Sequence, residues 1–551
     1  MAANWTRHRF GASANPRDDS PHGLGLEMRL SLAAFADTMR PHMDGAEGTL
    51  SHAEQRFEML RRKLGLLLAP LVFVTLWFLP CAGLTIPAHR LLAVMGLVMT
   101  LWVTEAIPLP ATALLGPFLC VLLGIGPVSA VFKSFADPIL FLYLGSFLLA
   151  EAMQRHGLNR RIAFRILSLP GVGESPAALM AAFGVVTAGL SMWMSNTATT
   201  AMMLPIGLAI LQEMARMESR RTGHTVRHTD LPYGTGLMLM AAFASSIGGL
   251  ATPVGTPPNL VGMGQIQQEL GVKISFFQWM SFGVPLMLLL LAFLVWHMNR
   301  TYPAAPGALA GARGWIAEER LKLGGFSTGE INVLLAFGIT VALWLTPGIA
   351  GLVQGMDAPV CRWFETHLPE SMAALAGALL LFLLPINPRK WEFTLTWQDA
   401  TRIDWGTILL FGGGLALGQL MKETGLARWI GEGLAGLSPT TSVLGLSVAF
   451  TLVGLLVSET TSNLASATMV VPIAIAVAQA AGVDPLQPAL AACLGASMGF
   501  MLPISTPPNA IVYGSGCIPL SRMIRSGLAL DVAGAIAVIL VVTQLVPRVL
   551  R

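Results

Sequence analysis

Charged side chains are scarce in this sequence. Asp, Glu, Lys and Arg together make up 12% of its 551 residues, and hydrophobic residues make up 54%. Charged residues form about a quarter of an ordinary soluble protein, so this composition excludes a typical soluble globular domain. Together with a mean hydropathy of +0.66, it predicts a polytopic membrane protein.

Cysteine is also rare. Metal sites and redox motifs built from cysteine require closely spaced pairs, and no CxxC spacing occurs here. We therefore expect free thiols and no metal site made of cysteine. The five residues are Cys81, Cys120, Cys361, Cys493 and Cys517.

The first sixty residues lack the apolar run that forms the core of a signal peptide. They are polar and rich in Arg, His, Asp and Gly, which predicts a cytoplasmic N-terminal tail over residues 1–60. Arg61, Arg62 and Lys63 come directly before the first apolar run, and basic residues favour the cytoplasmic side of a membrane. We expect an integral protein of the plasma (inner) membrane with a cytoplasmic N-terminus.

Apolar runs long enough to cross about 30 Å of hydrocarbon predict an all-α protein with about eleven transmembrane helices. Two further runs, 176–210 and 438–478, each carry a polar cluster at the middle, and we interpret them as re-entrant hairpins. The predicted spans are 64–84, 91–107, 108–126, 137–154, 232–270, 276–297, 329–350, 371–386, 406–421, 485–520 and 527–547.

The basic residues support this topology. Clusters precede and follow the first hairpin, so both of its ends should lie in the cytoplasm. Eleven spans that start inside then end outside, which places the C-terminus outside and makes residues 299–328 a cytoplasmic linker. The two clusters are Arg155, Arg160, Arg161 and Arg165, and then Arg216, Arg220, Arg221 and Arg227.

The sequence contains an internal repeat. "SNTATTAMMLPI" (195–206) matches "SNLASATMVVPI" (462–473), and "GTPPN" (255–259) matches "STPPN" (505–509). If the chain crosses the membrane an odd number of times between equivalent points of the two copies, the copies enter the membrane from opposite sides. We therefore expect an inverted repeat whose two copies are residues 61–298 and 329–551. Inverted repeats with interrupted helices are typical of secondary transporters.

The polar clusters and the proline pairs predict binding sites at mid-membrane. Helices break there only where protein or water surrounds the backbone, and we expect breaks within 232–270 and 485–520. Free carbonyl, hydroxyl and amide oxygens suit a hard cation such as Na⁺. Helix N-termini suit an anion, and neither hairpin tip contains Lys or Arg. An anion would then depend on co-bound cations, which predicts coupling.

These motifs, with "LWVTEAIPLPATALL" (101–115), resemble the divalent anion/sodium symporters, which carry dicarboxylates, citrate or sulfate. The resemblance covers roughly residues 64–547. It implies a homodimer of elevator-type transporters in membrane lipid, with a small anionic substrate, co-transported Na⁺, no enzymatic activity and no nucleic-acid partner. By motif position, Na⁺ would bind at Ser191, Ser195, Asn196 and Gly255, and at Ser458, Thr461, Asn463 and Ser505. Substrate would meet Ser195, Asn196, Thr197, Ser462 and Asn463, with Thr256, Pro257, Thr506 and Pro507 lining the pocket.

One position departs from the pattern, because Leu464 stands where the first motif has Thr197. This loss of a hydroxyl leaves room for a bulkier or less charged anion. Of the acidic residues near apolar runs, Glu459 adjoins the second motif and is either a structural partner or a cation or proton ligand. We interpret Glu105 as structural and Glu151 as a surface residue.

Three alternatives stay open. Ser and Thr in membrane helices also bond to carbonyl groups one turn earlier or join helices together. A transporter of the same fold could exchange dicarboxylates without a cation, or carry sulfate. "GASMG" (495–499) fits a nucleophilic-serine pattern centred on Ser497, but that pattern needs a strand-to-helix turn and a nearby His. Close helix packing explains it better, and explains "GGGLALG" (412–418) as well.

Overall fold

The computed structural model describes residues 52–304, 310–355, 357–435 and 442–550. Arg56–Arg551 forms one unit. Most of the predicted tail, residues 1–51, lies outside the described residues, as do 305–309 of the predicted linker and 438–441 of the second predicted hairpin.

Eleven of the described α-helices precede residue 305, and each predicted span of this half overlaps a helix or a pair of helices. Short 3-10 helices occur at Lys133–Ala136 and His228–Asp230. The α-helices are His52–Phe78, Ile86–Thr104, Leu109–Leu122, Val128–Val131, Pro138–Arg155, Leu158–Leu167, Pro176–Ser191, Asn196–Thr222, Pro232–Gly249, Pro257–Leu270 and Phe276–Thr301.

The second part of the chain is also helical. Its described α-helices are Ala310–Lys322, Thr328–Gln354, Pro359–His367, Glu370–Leu383, Trp397–Ala400, Trp405–Thr424, Leu426–Ala435, Val443–Thr460, Asn463–Ala480, Leu486–Gly495, Pro507–Tyr513, Leu520–Gln544 and Val546–Val549.

A small β-sheet departs from the predicted all-α architecture. Strands Pro385–Asn387 and Glu392–Phe393 pair antiparallel, with Pro385 opposite Phe393, around a 3-10 turn at Pro388–Lys390. The sequence prediction missed this sheet because its strands are only three and two residues long.

Among the described residues, seven helices are long and apolar enough to cross a membrane. The number rises to eight if Pro359–His367 and Glu370–Leu383, which are bent by 62°, count as one span. Several of the eleven predicted spans fall short by length, since Leu109–Leu122 has 14 residues and the runs 232–270 and 485–520 are interrupted. The count of eleven stays a prediction.

Two helix pairs fold back on themselves at the predicted hairpins. The first hairpin, Pro176–Ser191 with Asn196–Thr222, brings Gly207 against the ring of Phe183. The second hairpin, Val443–Thr460 with Asn463–Ala480, is closed by Ser466 Oγ, which donates to the Gly454 carbonyl at 2.9 Å. In each pair the two contacting residues lie at similar distances from the turn, so the helices run antiparallel.

Each hairpin packs on a broken helix of its own half. The first broken helix consists of Pro232–Gly249 and Pro257–Leu270, and the second of Leu486–Gly495 and Pro507–Tyr513. Thr200 and Ser245 hydroxyls are 2.7 Å apart in the first half, and Ser458 Oγ donates to the Ala496 carbonyl at 2.7 Å in the second. These contacts bring each hairpin turn beside the break in the neighbouring helix.

Small residues allow the helix backbones to approach closely. Gly413 lies against the backbone of Ala113, and Gly495 lies against the backbone of Thr451. Both glycines belong to runs that we interpreted as helix-packing motifs, "GGGLALG" and "GASMG". Close contact without a side chain is the usual role of such residues between membrane helices, so that interpretation is confirmed.

Candidate anion and cation site

The helices on the far side of both hairpin turns begin with a serine cap. Ser195 Oγ accepts from the Ala198 N–H at 3.2 Å, and Ser462 Oγ accepts from the Ala465 N–H at 3.2 Å. Serine is a preferred capping residue because its oxygen satisfies a free N–H of the first turn. The repeated Ser-Asn motif therefore fixes where Asn196–Thr222 and Asn463–Ala480 start.

The second helix of each broken pair begins directly after a threonine. Thr256 precedes Pro257–Leu270, and Thr506 precedes Pro507–Tyr513. Proline is favoured at the first helical position because its fixed φ suits the helix and the N–H it lacks has no intrahelical partner there. The "TPPN" motif thus ends an irregular segment and starts a helix in each half.

All four helix starts face one cavity of about 640 Å³. Its wall includes every residue that we predicted to contact substrate, from both halves of the chain, and their binding role stays a prediction. These residues are Ser195, Asn196, Thr197, Thr256, Pro257, Ser462, Asn463, Thr506 and Pro507.

The predicted first cation site lies at the turn of the first hairpin. The buried Ser191 hydroxyl donates to Asn196 Oδ1 at 2.8 Å. A Cβ at Gly249 would come within 2.6 Å of Asn196 Oδ1, and a Cβ at Gly255 would come within 2.6 Å of the Gly249 carbonyl oxygen. The same Cβ at Gly255 would lie 3.0 Å from the Met192 carbonyl oxygen. Oxygens therefore converge here, as a hard cation requires.

The predicted second cation site repeats the first contact. Ser458 Oγ lies 2.6 Å from Asn463 Oδ1, which matches the Ser191–Asn196 contact, and 2.7 Å from the Ala496 carbonyl oxygen, which competes for the same proton. Thr461 Oγ1 donates to the Trp102 carbonyl at 3.1 Å. Ser505 Oγ donates to Glu459 Oε2 at 2.5 Å. The four predicted residues of this site are thus clustered, and three of their hydroxyls also contact groups that we did not predict.

Sequence reasoning missed Gly249 and Gly499, whose lack of a side chain keeps space open beside the two sites. A Cβ at Gly499 would lie 3.1 Å from Ser458 Oγ and 3.3 Å from Ser505 Cβ. Both glycines lie seven residues before the threonine of a "TPPN" motif. Comparison of the two repeats beyond the motif could therefore have found them.

Charged residues from outside the hairpins also line the cavity, and these too were missed as site residues. They are Arg402 and Asp404, from the segment before Trp405–Thr424, and Glu151. Glu151, which we interpreted as a surface residue, is half-buried and lies on the cavity wall. Glu105, which we interpreted as structural, pairs with Arg61 at 3.0 Å.

The geometry around Ser497 does not resemble a nucleophile. Its side chain is 2% exposed, and Oγ has no hydrogen-bond partner within the described part of the chain. A nucleophilic serine is activated by a hydrogen bond to a base. Close packing of helices at Gly495 accounts for the "GASMG" motif without a nucleophilic serine.

A family model described as "Sodium:sulfate symporter transmembrane region" matches residues 60–550. The chain belongs to this family. The resemblance to divalent anion/sodium symporters is thereby confirmed, and this sodium:sulfate symporter family member is an integral membrane protein.

Two curated relatives are similar over most of their length. The sodium-dependent dicarboxylate transporter SdcS of Staphylococcus saprophyticus is 37% identical over 498 residues, which cover 88% of this chain and 92% of the relative. The protein of the same name from Staphylococcus aureus strain USA300 is 36% identical over 492 residues, with the same coverage.

Solved structures share the fold of this family member at low identity. The YdaH transporter of Alcanivorax borkumensis has a TM-score of 0.50 and 15% identity, covering 78% of this chain and 88% of that one. MtrF of Neisseria gonorrhoeae has a TM-score of 0.50 and 13% identity, covering 85% and 96%. Both are transporters by name, and the likeness shows the fold alone.

Proposed function

We propose that the protein is a Na⁺-coupled symporter of small anions, with di- or tricarboxylates such as succinate as substrates. The convergence of four helix starts on one cavity carries the proposal. Three of these helices have 27, 14 and 18 residues, and the positive end of a helix dipole attracts an anion. The fourth is Pro507–Tyr513.

Hydroxyl and amide groups are the direct contacts that the cavity offers a carboxylate. The paired prolines at the start of both broken helices have no N–H to donate, so Thr256 and Thr506 supply the polar groups there. The predicted cation sites lie directly behind Asn196 and Asn463. An amide shared between cation and anion makes each bind better in the presence of the other.

The curated relatives support this assignment, since both are named sodium-dependent dicarboxylate transporters and match 92% of their length. A cation-independent exchanger and a sulfate carrier are the alternatives within the fold. Nothing in the cavity favours either over a symporter.

Uptake of labelled succinate into proteoliposomes tests the proposal. We expect uptake to require an inward Na⁺ gradient and to stop when K⁺ replaces Na⁺. Uptake that ignores Na⁺ but requires internal succinate would establish an exchanger. If succinate is not carried under either condition and sulfate is, the substrate class is wrong.

We also propose that the halves 61–298 and 329–551, joined by the linker 299–328, form an inverted repeat. Matching contacts support this. Asn259 Nδ2 donates to the carbonyls of Gly249 and Thr252, and Asn509 Nδ2 donates to those of Gly499 and Leu502. In each half the acceptors lie ten and seven residues before the asparagine.

The proposed topology has the N-terminus in the cytoplasm and the C-terminus outside. Tags at each terminus, tested for access by a protease from one side of the membrane, would check this.

We further propose an elevator mechanism in a homodimer, in which the hairpins and broken helices move together past the remaining helices. The contacts of each hairpin with its own broken helix support a unit that moves as one body. Cysteine pairs that join Ala201 in the first hairpin to Leu410 on the opposite cavity wall would test this. We expect cross-linking to stop transport and reduction to restore it, whereas transport by the cross-linked protein would contradict the mechanism. Mass measurement in detergent would test the dimer.

A further inference from the structure

Asp531 is a buried acid without a partner. It lies in the middle of Leu520–Gln544 and is 2% exposed, and neither carboxylate oxygen has a hydrogen bond within the described residues. Gly527, one turn earlier on the same helix, lies against Phe500 and Met501, and the Met501 N–H donates to Glu459, so the carboxyl group of Asp531 lies beside that of Glu459. An ionised carboxylate in such surroundings is strongly unfavourable unless a positive charge or donors compensate it.

Both carboxyl oxygens of Glu459 accept hydrogen bonds. It is 4% exposed, and its two oxygens accept from the Met501 N–H at 2.9 Å and from Ser505 Oγ at 2.5 Å. These donors use one acceptor position on each oxygen and leave others open toward Asp531. Two carboxylates therefore face each other in the protein interior.

No basic side chain described in the structure lies between them. On the helix of Asp531, Arg525 is six residues away, which is about 9 Å along the axis. The helix Phe276–Thr301 carries His297 and Arg300 near its end, and His297 lines a separate cavity with Arg522 and Arg525. The other helices packed against the helix of Asp531 carry two further titratable groups. The Cys493 thiol donates to the Pro258 carbonyl, and Arg548 lies beyond the C-terminal end of the helix.

The fold does not require this acidic pair, because the first half is built without it. Met192 stands three residues before Ser195, as Glu459 stands three before Ser462. Gly283 lies against the carbonyls of Leu250 and Ala251, and Gly527 lies against that of Phe500. Leu250 and Phe500 both lie six residues before a "TPPN" threonine, so these glycines correspond. Four residues later the first half has Met287 and the second has Asp531.

We propose that Asp531 and Glu459 bind one Na⁺ in addition to the ions at the two predicted cation sites. This inference rests on the proposed Na⁺ symport. The two carboxylates supply the charge, and the Phe500 carbonyl, held against Gly527 one turn from Asp531, offers a further oxygen. Hard cations favour such ligands. The Ser505 hydroxyl joins this site to the second predicted one.

The test is the number of Na⁺ ions that move with each succinate. Proteoliposomes with the membrane potential held at zero are given a tenfold Na⁺ gradient, and the opposing succinate gradient that stops net flux is measured. Since each coupled ion multiplies the balancing ratio, loss of one ion in Asp531→Asn should lower that ratio about tenfold. Asp531→Met, which introduces the residue of the first half, should do the same.

Ser526→Ala is the matched control, since it removes a buried polar group from the same helix, where Ser526 bonds to Tyr302. We expect it to leave the balancing ratio unchanged even if the transport rate falls. An unchanged ratio in both Asp531 variants would overturn the inference while leaving Na⁺ symport intact. A ratio in the unaltered protein that ignores Na⁺ would instead overturn the proposed function. If the balancing ratio of the unaltered protein changes with an imposed pH gradient, and that of Asp531→Asn does not, the ion bound by Asp531 is H⁺ and the inference of Na⁺ is overturned.

Discussion

The two halves of the binding region share a backbone frame and differ in chemistry. Both have a serine-capped hairpin helix, a broken helix that restarts after a threonine, and a serine in contact with the asparagine five residues later. At four corresponding positions the side chains differ: the second half lacks one hydroxyl that the first half has, and gains one other hydroxyl and two carboxyl groups. The differing pairs are Thr197 and Leu464, Met192 and Glu459, Gly255 and Ser505, and Met287 and Asp531.

This comparison separates two tasks. The parts that are repeated, the helix starts and the Ser–Asn contacts, are those that the proposed function assigns to binding a symmetric dianion between the halves. The parts that differ lie mostly behind the second site, where Glu459 and Ser505 add charge and a donor. If the proposed sites are correct, anion binding depends on both halves alike, and the halves differ in how they hold cations.

The largest expected effect comes from closing the space at Gly249. An alanine there would bring Cβ within 2.6 Å of Asn196 Oδ1, whereas the nearest contact at Gly499 is 3.1 Å. Displacing a binding group by about 1 Å can cost about a hundredfold in rate. We expect Gly249→Ala to reduce Na⁺-driven succinate uptake on that order and Gly499→Ala to retain most of it. Equal losses of uptake in both variants would contradict this prediction, because they would show that an added methyl group is tolerated no better at Gly499 than at Gly249.

Next in size is the loss of a shared amide. Asn196→Ala leaves the buried Ser191 hydroxyl without its acceptor and removes an oxygen from the first cation site. A buried polar group without a partner costs about 1–3 kcal/mol, so we expect the Na⁺ concentration for half-maximal uptake to rise roughly tenfold. Asn463→Ala should have a smaller effect, because Ser458 keeps the Ala496 carbonyl as an acceptor. An unchanged Na⁺ dependence of Asn196→Ala would remove this residue from the site.

A smaller effect is expected at Arg402, which lines the cavity but is exposed. Exposed charges interact weakly and are screened by salt. Arg402→Gln should raise the KM for succinate a few-fold at low ionic strength and less at high ionic strength. Arg389→Gln is the control, because Arg389 is exposed on the preceding 3-10 turn and does not line the cavity. A salt-independent change in KM would mean that Arg402 acts through structure.

The smallest expected effect is on selectivity. Leu464 lines the cavity and is 7% exposed. Leu464→Thr restores the hydroxyl that the first half has at Thr197, and should shift the ratio of succinate, citrate and sulfate rates by a few-fold at most, since one added hydrogen bond contributes about 1 kcal/mol. If all three rates keep the same ratio, Leu464 does not face the substrate.

Much of this architecture could be predicted because it follows from local rules. Polar clusters within apolar runs, together with paired prolines, indicate interrupted helices, and the breaks lie at 192–195, 250–256 and 496–506 as those motifs suggested. The site residues of the two halves could be matched because "SNTATT" and "TPPN" are repeated.

What could not be predicted depends on contacts between distant segments. Arg402 enters the cavity from a loop far from either hairpin, and no local pattern marks it. Leu158–Leu167 and Leu426–Ala435 are ten residues long, too short for a span, and were missed as helices. Asp531 is an acid in an apolar run that we missed, and its position beside Glu459 became apparent only in the folded chain.

The cavity takes two helix starts from each half. Under the proposed function, each half of this chain carries half of the anion site, and a lone repeat would need a second copy, inserted in the opposite sense, before it could transport anything. Once both copies are fused in one chain, each is free to mutate separately. A change such as Thr to Leu in one copy can then alter substrate choice while the other copy preserves binding.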